Sequence, residues 1–176
     1  MAKLDYKQFE DYTINLIHAI PDDVYEGVAS IFCIGFVVFI AWKGFKIGFR
    51  YSAVLLLVEY IFLLFCSTVI FRPTGETRQY DFHPFWSYAR PELLMENIMN
   101  LVMFIPVGML LCVAFKQMTW WKALLIGCSI SVTIEALQFC FLKGFSELDD
   151  VMHNTVGCIL GYMMVKGSRL MVKTSK

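Results

Sequence analysis

Long apolar runs alternate with short polar connections along this chain. Five runs, Val24–Trp42, Tyr51–Phe71, Leu93–Phe115, Trp120–Leu142 and Leu148–Val165, approach the ~20 residues that a helix needs to cross the hydrocarbon core. Their polar residues are not spread evenly. Arg72 follows the second run, and Glu96, Asn97 and Asn100 open the third. Ser131, Glu135 and Gln138 lie toward the end of the fourth, and Glu147, Asp149, Asp150, His153 and Asn154 open the fifth. Successive spans run in opposite directions, so all these groups fall on one side of the membrane, whichever way up the bundle sits. Lipid tolerates a carboxylate only where protein or water surrounds it, so a one-sided polar cluster is a candidate site. The pattern predicts an all-α fold, a polytopic membrane helical bundle of about five transmembrane helices.

Residues 1–20 read as an N-terminal amphipathic helix, with Phe9, Tyr12, Leu16, Ile17 and Ile20 at three- and four-residue spacing. Such a helix lies in the interface plane or caps the bundle. Pro21, Asp22 and Asp23 break the pattern. The chain thus divides into an amphipathic segment (1–23), a transmembrane bundle (24–165) and a cytoplasmic tail (166–176). Glu59 sits near the middle of the second run, where it must face the bundle, be protonated or be paired. Pro106 cannot donate to the carbonyl of Val102, so the third helix should kink and leave an acceptor for a partner within the bundle. Ser131, Glu135 and Gln138 share one face of the fourth helix. Gly157 and Gly161 form a small-residue contact face on the fifth.

The longest connection, Arg72–Glu92, holds Tyr80, Phe82, Phe85, Trp86 and Tyr88. So many aromatics do not belong in bulk water. The loop is expected to dip to the interface as an aromatic belt or to pack over the helix ends. Its Arg72 and Arg78 have the guanidinium geometry that binds lipid phosphate.

Composition agrees with the pattern. Of 176 residues, 58% are hydrophobic and only 17% charged, where a soluble domain carries about 25% charge. The net charge is zero, so nothing marks a nucleic-acid binder. Residues 1–20 carry Asp5, Glu10 and Asp11 and lack an apolar core, so the first span, not a cleaved leader, is expected to direct insertion. Cys33, Cys66, Cys112, Cys128, Cys140 and Cys158 lie in or beside apolar runs with no Cys-x-x-Cys pair, which reads as helix packing and not as a zinc or disulfide framework. With five spans, Lys and Arg number nine on the side of the C-terminus and six on the other. The positive-inside rule then places the N-terminus outside and the C-terminus in the cytoplasm.

Three motifs in order resemble the VanZ-like family of bacterial integral membrane proteins: Asn100-x-x-x-Phe104-Ile105-Pro106-Val107-Gly108, then Ser131-x-x-x-Glu135-x-x-Gln138, then Glu147-Leu148-Asp149-Asp150-Val151-Met152-His153-Asn154-Thr155-x-Gly157 with Gly161-Tyr162. The match runs from about Arg72 to Tyr162. Arg72 also fits the arginine that family members tend to carry after the second span. The family's Asn-Leu-x-Pro-Phe-like loop is matched in part: Asp81-Phe82-His83-Pro84-Phe85 keeps Pro-Phe and has no Asn. The resemblance implies a polytopic helical protein of the cell membrane, associated with reduced susceptibility to glycopeptide antibiotics such as teicoplanin.

Three readings of the cluster stand side by side. In the first, it binds or handles an envelope lipid or lipid-linked glycan. Arg72 and Arg78 meet phosphate, while His83, Asn97, Asn100, Glu135, Gln138, Asp150 and Asn154 complete the ligand-binding set. In the second, Glu135, Asp149, Asp150 and His153 perform acid–base chemistry on a lipid head group; no nucleophile motif, phosphate loop or HExxH is present. In the third, the groups only hydrogen-bond the helices together. Asp149, Asp150 and His153 have the residue types of a metal site, but ligands from other helices would be required; no metal or cofactor is expected.

Overall fold

In a computed structural model the described residues are Gly35 and 48–174. The expected amphipathic segment, the first span and the loop after it therefore lie outside the described residues, Gly35 apart. Four long helices make up the rest: α1 (Phe49–Phe65), α2 (Leu94–Ala114), α3 (Trp120–Phe141) and α4 (Leu148–Thr174). α1 starts after the extended Gly48 and ends in one turn of π-helix, Cys66–Ile70. The side chains there explain the change of pitch. Thr68 Oγ1 and Ser67 Oγ both donate to the Leu64 carbonyl, at 2.6 and 3.1 Å, and so compete with the backbone for it. The Phe71 N–H reaches back to the Cys66 carbonyl instead.

Three segments, Arg50–Ile70, Pro91–Ala114 and Trp120–Phe141, are long and apolar enough to cross a membrane. They match the second, third and fourth expected spans to within about two residues. α4 is not in this group, because its first turns carry Asp149, Asp150, His153 and Asn154. It also runs past the expected end at Val165 to Thr174. No proline or turn interrupts residues 166–174, and the Arg169 guanidinium donates to the Cys112 carbonyl at 3.2 Å, tying this extension to α2.

α2 and α4 pack most extensively, followed by α3 with α4 and α1 with α2. The reason is glycine. A Cβ at Gly157 would collide with the Leu101 carbonyl, one at Gly161 with the Ile105 carbonyl, and one at Gly108 with the Cys158 carbonyl. The two backbones touch along three turns, as small residues permit. Phe104, Val107, Leu111, Cys112, Ile134, Cys158 and Tyr162 fill the core around this seam. α2 continues unbroken through Pro106. The Tyr60 hydroxyl donates to the Met103 carbonyl at 2.8 Å, one residue past the acceptor expected from the proline. Glu59 on α1 is half-buried.

Two short strands, β1 (Gln79–Asp81) and β2 (Phe145–Glu147), pair in parallel, with Tyr80 opposite Ser146 and Asp81 opposite Glu147. They join the aromatic loop to the connection between α3 and α4. The seam generates a direct test. Gly157→Val should lose about 1–3 kcal/mol or more through overpacking. Gly167→Ala, where nothing lies within 4 Å, should be neutral or gain up to about 1 kcal/mol. Thermal unfolding of the two variants in detergent measures the contrast.

Candidate functional site

The polar groups predicted to share one depth do meet, at one end of the described helices. The stripe on α3 contacts three different elements. The Asn154 amide of α4 donates to Ser131 Oγ at 2.8 Å. The Glu147 N–H of β2 donates to Glu135 Oε2 at 3.0 Å, and Ser146 Oγ donates to the Glu135 carbonyl at 3.2 Å. Gln138 Nε2 donates to the Thr68 carbonyl at 3.1 Å. The last acceptor stands in the π turn at the end of α1, where a helix leaves carbonyls unpaired.

Asp149 and Asp150 have separate surroundings. The side chain of Asp149 is fully buried and accepts three hydrogen bonds from the aromatic loop. The Phe85 N–H reaches Oδ1 at 2.6 Å and the Ser87 N–H reaches Oδ2 at 3.0 Å; the Ser87 hydroxyl also donates to Oδ2. The carboxylate thus caps the short 3₁₀ turn Trp86–Ala89 from another helix. Phe85 adopts a left-handed conformation, φ 66°, a strain of about 1–3 kcal/mol that such an anchor must hold in place. Asn97 on α2 donates to Ser87 Oγ at 3.0 Å and completes the clamp. The loop therefore packs over the helix ends, one of the two arrangements expected for it.

Asp150 points instead toward Asn100, Glu96 and Arg72. Asn100 lies beside it, yet its Nδ2 is buried without a hydrogen bond of good geometry. Arg72 pairs loosely with Glu96 at 3.9 Å, their side chains 35% and 39% exposed. The guanidinium rests on Gly144, φ 96°, where any Cβ would come within 2.9 Å of it. This turn therefore requires glycine for conformation and for space. Lys143 Nζ donates to the Arg72 carbonyl at 2.9 Å, fixing the same corner.

Glu147 completes the cluster. Its carboxyl is buried beside Asp150, Glu96, Glu135 and Trp86. Burial first, and then the neighbouring carboxyls, push it up to about 8 from the usual 4.5. Glu96, Glu135 and Asp150 thus lie within range of one guanidinium, with Glu147 beside them. Among the described residues no three His, Cys, Asp or Glu side chains converge tightly enough to hold a metal ion.

Other expected residues lie at the rim. The Arg78 guanidinium sits over the Phe139 ring at 5.5 Å. His83 is exposed and turned back on Asp81, with both its N–H and Nδ1 at 2.8 Å from Oδ1; the backbone bond above all holds Asp81 below the usual carboxylate range. His153 Nδ1 bonds the Asp149 carbonyl at 2.6 Å. A carbonyl only accepts, so Nδ1 carries the proton and Nε2 accepts from the Tyr88 hydroxyl at 2.9 Å. His153 thus serves the loop as well as α4. Glu96 and Glu147 belong to the cluster but were not among the sequence candidates, although both stand in the polar helix starts. Ser87 and Thr68 carry no sequence signal at all, and Trp86 is marked only as one aromatic of the loop.

A helical bundle with apolar spans and a buried polar cluster at one end is the architecture of a polytopic membrane protein. The chain belongs to the VanZ/LLP1 family, whose model matches residues 52–171. It is similar to protein VanZ of Enterococcus faecium, 41% identical over 66 residues, which cover 38% of this chain and 41% of that protein. The matched stretch thus spans about two fifths of that relative's length. No solved structure matches the chain.

Two outcomes follow. Asp149→Ala leaves the Phe85 and Ser87 donors without an acceptor; amide exchange across residues 85–90 should rise by an order of magnitude or more while α2 and α3 stay protected. Glu147 binds a proton up to about 8 when folded and to about 4.5 when unfolded. Its folded state therefore holds more protons between those values, and stability falls as pH rises through that window. Glu147→Gln should flatten the fall and raise the melting temperature at pH 8, as read from melting curves at pH 5 to 9.

Proposed function

We propose that the chain is a multi-pass protein of the bacterial plasma membrane whose polar cluster receives the head group of an envelope lipid or lipid-linked glycan. In this reading five helices cross the bilayer, α4 among them, with the N-terminus outside and the C-terminus in the cytoplasm. One observation carries the reading: the cluster holds more polar groups than its own partners satisfy. Gln138 Oε1 and Asn154 Oδ1 are buried without a hydrogen bond, and Glu96, Glu135 and Asp150 share Arg72 while Glu147 lies among those carboxyls. A cluster that only held helices together would pair its buried polar atoms, as native proteins nearly always do. Exposed Tyr80, Phe82, Phe85 and Tyr88 rim the same end, and such amphipathic rings suit head-group depth. Arg72, Asn100, Glu135, Gln138, Asp150 and Asn154 are the residues assigned to the ligand. Asn97 and Asp149 hold the loop, and Arg78 and His83 stand at the rim.

A second reading, head-group chemistry, is favoured by Glu147. A carboxyl that keeps its proton to about pH 8 beside Glu135 is suited to general-acid work near neutrality. Kinship with VanZ adds the expectation that the protein lowers susceptibility to teicoplanin.

Native mass spectrometry of the detergent-purified protein should retain a lipid or lipid-linked glycan mass, reduced at least tenfold in Glu135→Gln and Asp150→Asn. A bare protein mass in all three argues against the binding reading. A teicoplanin dose series in cells with and without the protein tests the phenotype, with Asp150→Asn expected to return susceptibility to the level of cells lacking it.

A further inference from the structure

The unmet hydrogen bonds of the cluster have a chemical sense. Asp149 already has three donors. Glu135 Oε2 receives the Glu147 N–H, while Asp150 and Glu147 are approached only loosely by Asn100 Nδ2 and Trp86 Nε1, neither in good geometry. Gln138, 2% exposed, gives Nε2 to the Thr68 carbonyl. A carbonyl cannot donate, so this orientation is fixed and Oε1 is a free acceptor, one turn from Glu135 on the same face. Asn154, 4% exposed, leaves Oδ1 free one turn from Asp150, while its Nδ2 is held by Ser131, itself one turn from Glu135. Carboxyl and amide oxygens thus outnumber the donors that reach them. What the cluster lacks is a partner that brings N–H groups, and a cationic one would let Glu147 release the proton it otherwise keeps.

Resting on the head-group reading, we propose that the cluster selects the primary ammonium group of a lipid head group, seated among Glu135, Asp150, Glu147 and the Gln138 amide oxygen. Arg72 and Glu96, part-exposed and loosely paired, stand at its edge. The head-group phosphate meets the Arg72 guanidinium there, as charge and geometry favour, and the ammonium goes further in. The order matches the burial of the groups: a part-exposed guanidinium outside, buried carboxyls behind it.

The test offers the purified protein equimolar phosphatidylethanolamine, phosphatidylcholine and phosphatidylglycerol of identical acyl chains and reads bound species by native mass spectrometry. The first has a charged amine with N–H donors, the second the charge without them, the third neither. Phosphatidylethanolamine should exceed each of the others at least tenfold, and in Asp150→Asn and Glu147→Gln that preference should fall below threefold. Equal retention of all three by the wild type overturns the ammonium inference and leaves lipid binding standing. Preference for phosphatidylglycerol overturns it too, placing phosphate recognition ahead of the amine. Retention of no lipid overturns both. The wild-type ratio decides the matter even where a variant fails to fold.

Discussion

At Gly108, Gly157 and Gly161 the backbones of α2 and α4 come into contact with no side chain between them, and that approach fixes both the distance and the register of the two helices. Leu101 faces Gly157 and Ile105 faces Gly161. One or two turns nearer the polar end, the same pair of helices carries Asn97 and Asn100 on α2 and Asp149 and Asp150 on α4. A larger residue in the seam would part the helices and also shift the acid-bearing end of α4 against α2. Everything at the site depends on this spacing: the loop clamp uses Asn97 with Asp149, and the open edge uses Asn100 and Glu96 with Asp150. Close packing of small residues is how helices associate where lipid removes the usual hydrophobic drive. Here it also serves as a ruler.

Charge sets the second constraint. Removing carboxylates from water costs several kcal/mol each unless they are paired and hydrogen-bonded. Asp149 meets that condition with three donors. Glu135, Glu147 and Asp150 do not, because Glu135 and Asp150 share Arg72 with Glu96 and all three lie within range of one another. Such a group reaches stability by keeping protons or by taking in a cation. Glu147, held near 8, does the first at neutral pH, so the balance between proton and ligand is a property of the cluster as a whole.

The helices were legible because apolar run length is a direct reading of membrane thickness, and three runs fall where expected. The one-sided cluster was legible for the same reason: alternation of direction follows from spans and short loops alone. Other features were hidden. α4 runs on past the apolar stretch that ends near Val165, because helical hydrogen bonding does not need apolar residues to continue. Glu147 reads as a connector residue until the pairing of β2 with β1 and the Glu135 contact bury it. The hold of Asp149 on Phe85 and Ser87 spans more than sixty positions, and nothing local in an aromatic loop announces its anchor. Arg72 was visible as a cation but not its seat on Gly144, which depends on a positive φ at a distant turn.

Neighbours in sequence, Asp149 and Asp150 have opposite roles because one helical step turns a side chain by about 100°. Asp149 faces the loop and is saturated; Asp150 faces α2 and is not. Their adjacency couples the two roles mechanically. The turn of helix that orients Asp150 is held by its neighbour's three bonds to a strained loop, and His153, bonded to the Asp149 carbonyl and to Tyr88, braces the next turn against the same loop. A cluster that must keep unsatisfied carboxyls apart cannot rely on those groups to position themselves, since they repel one another. It needs a separate, fully satisfied carboxylate to fix the backbone beneath them. This division explains why the most buried of the described acids is also the best hydrogen-bonded, and why Asp150, the open acid of α4, sits on the helix turn that the loop clamps.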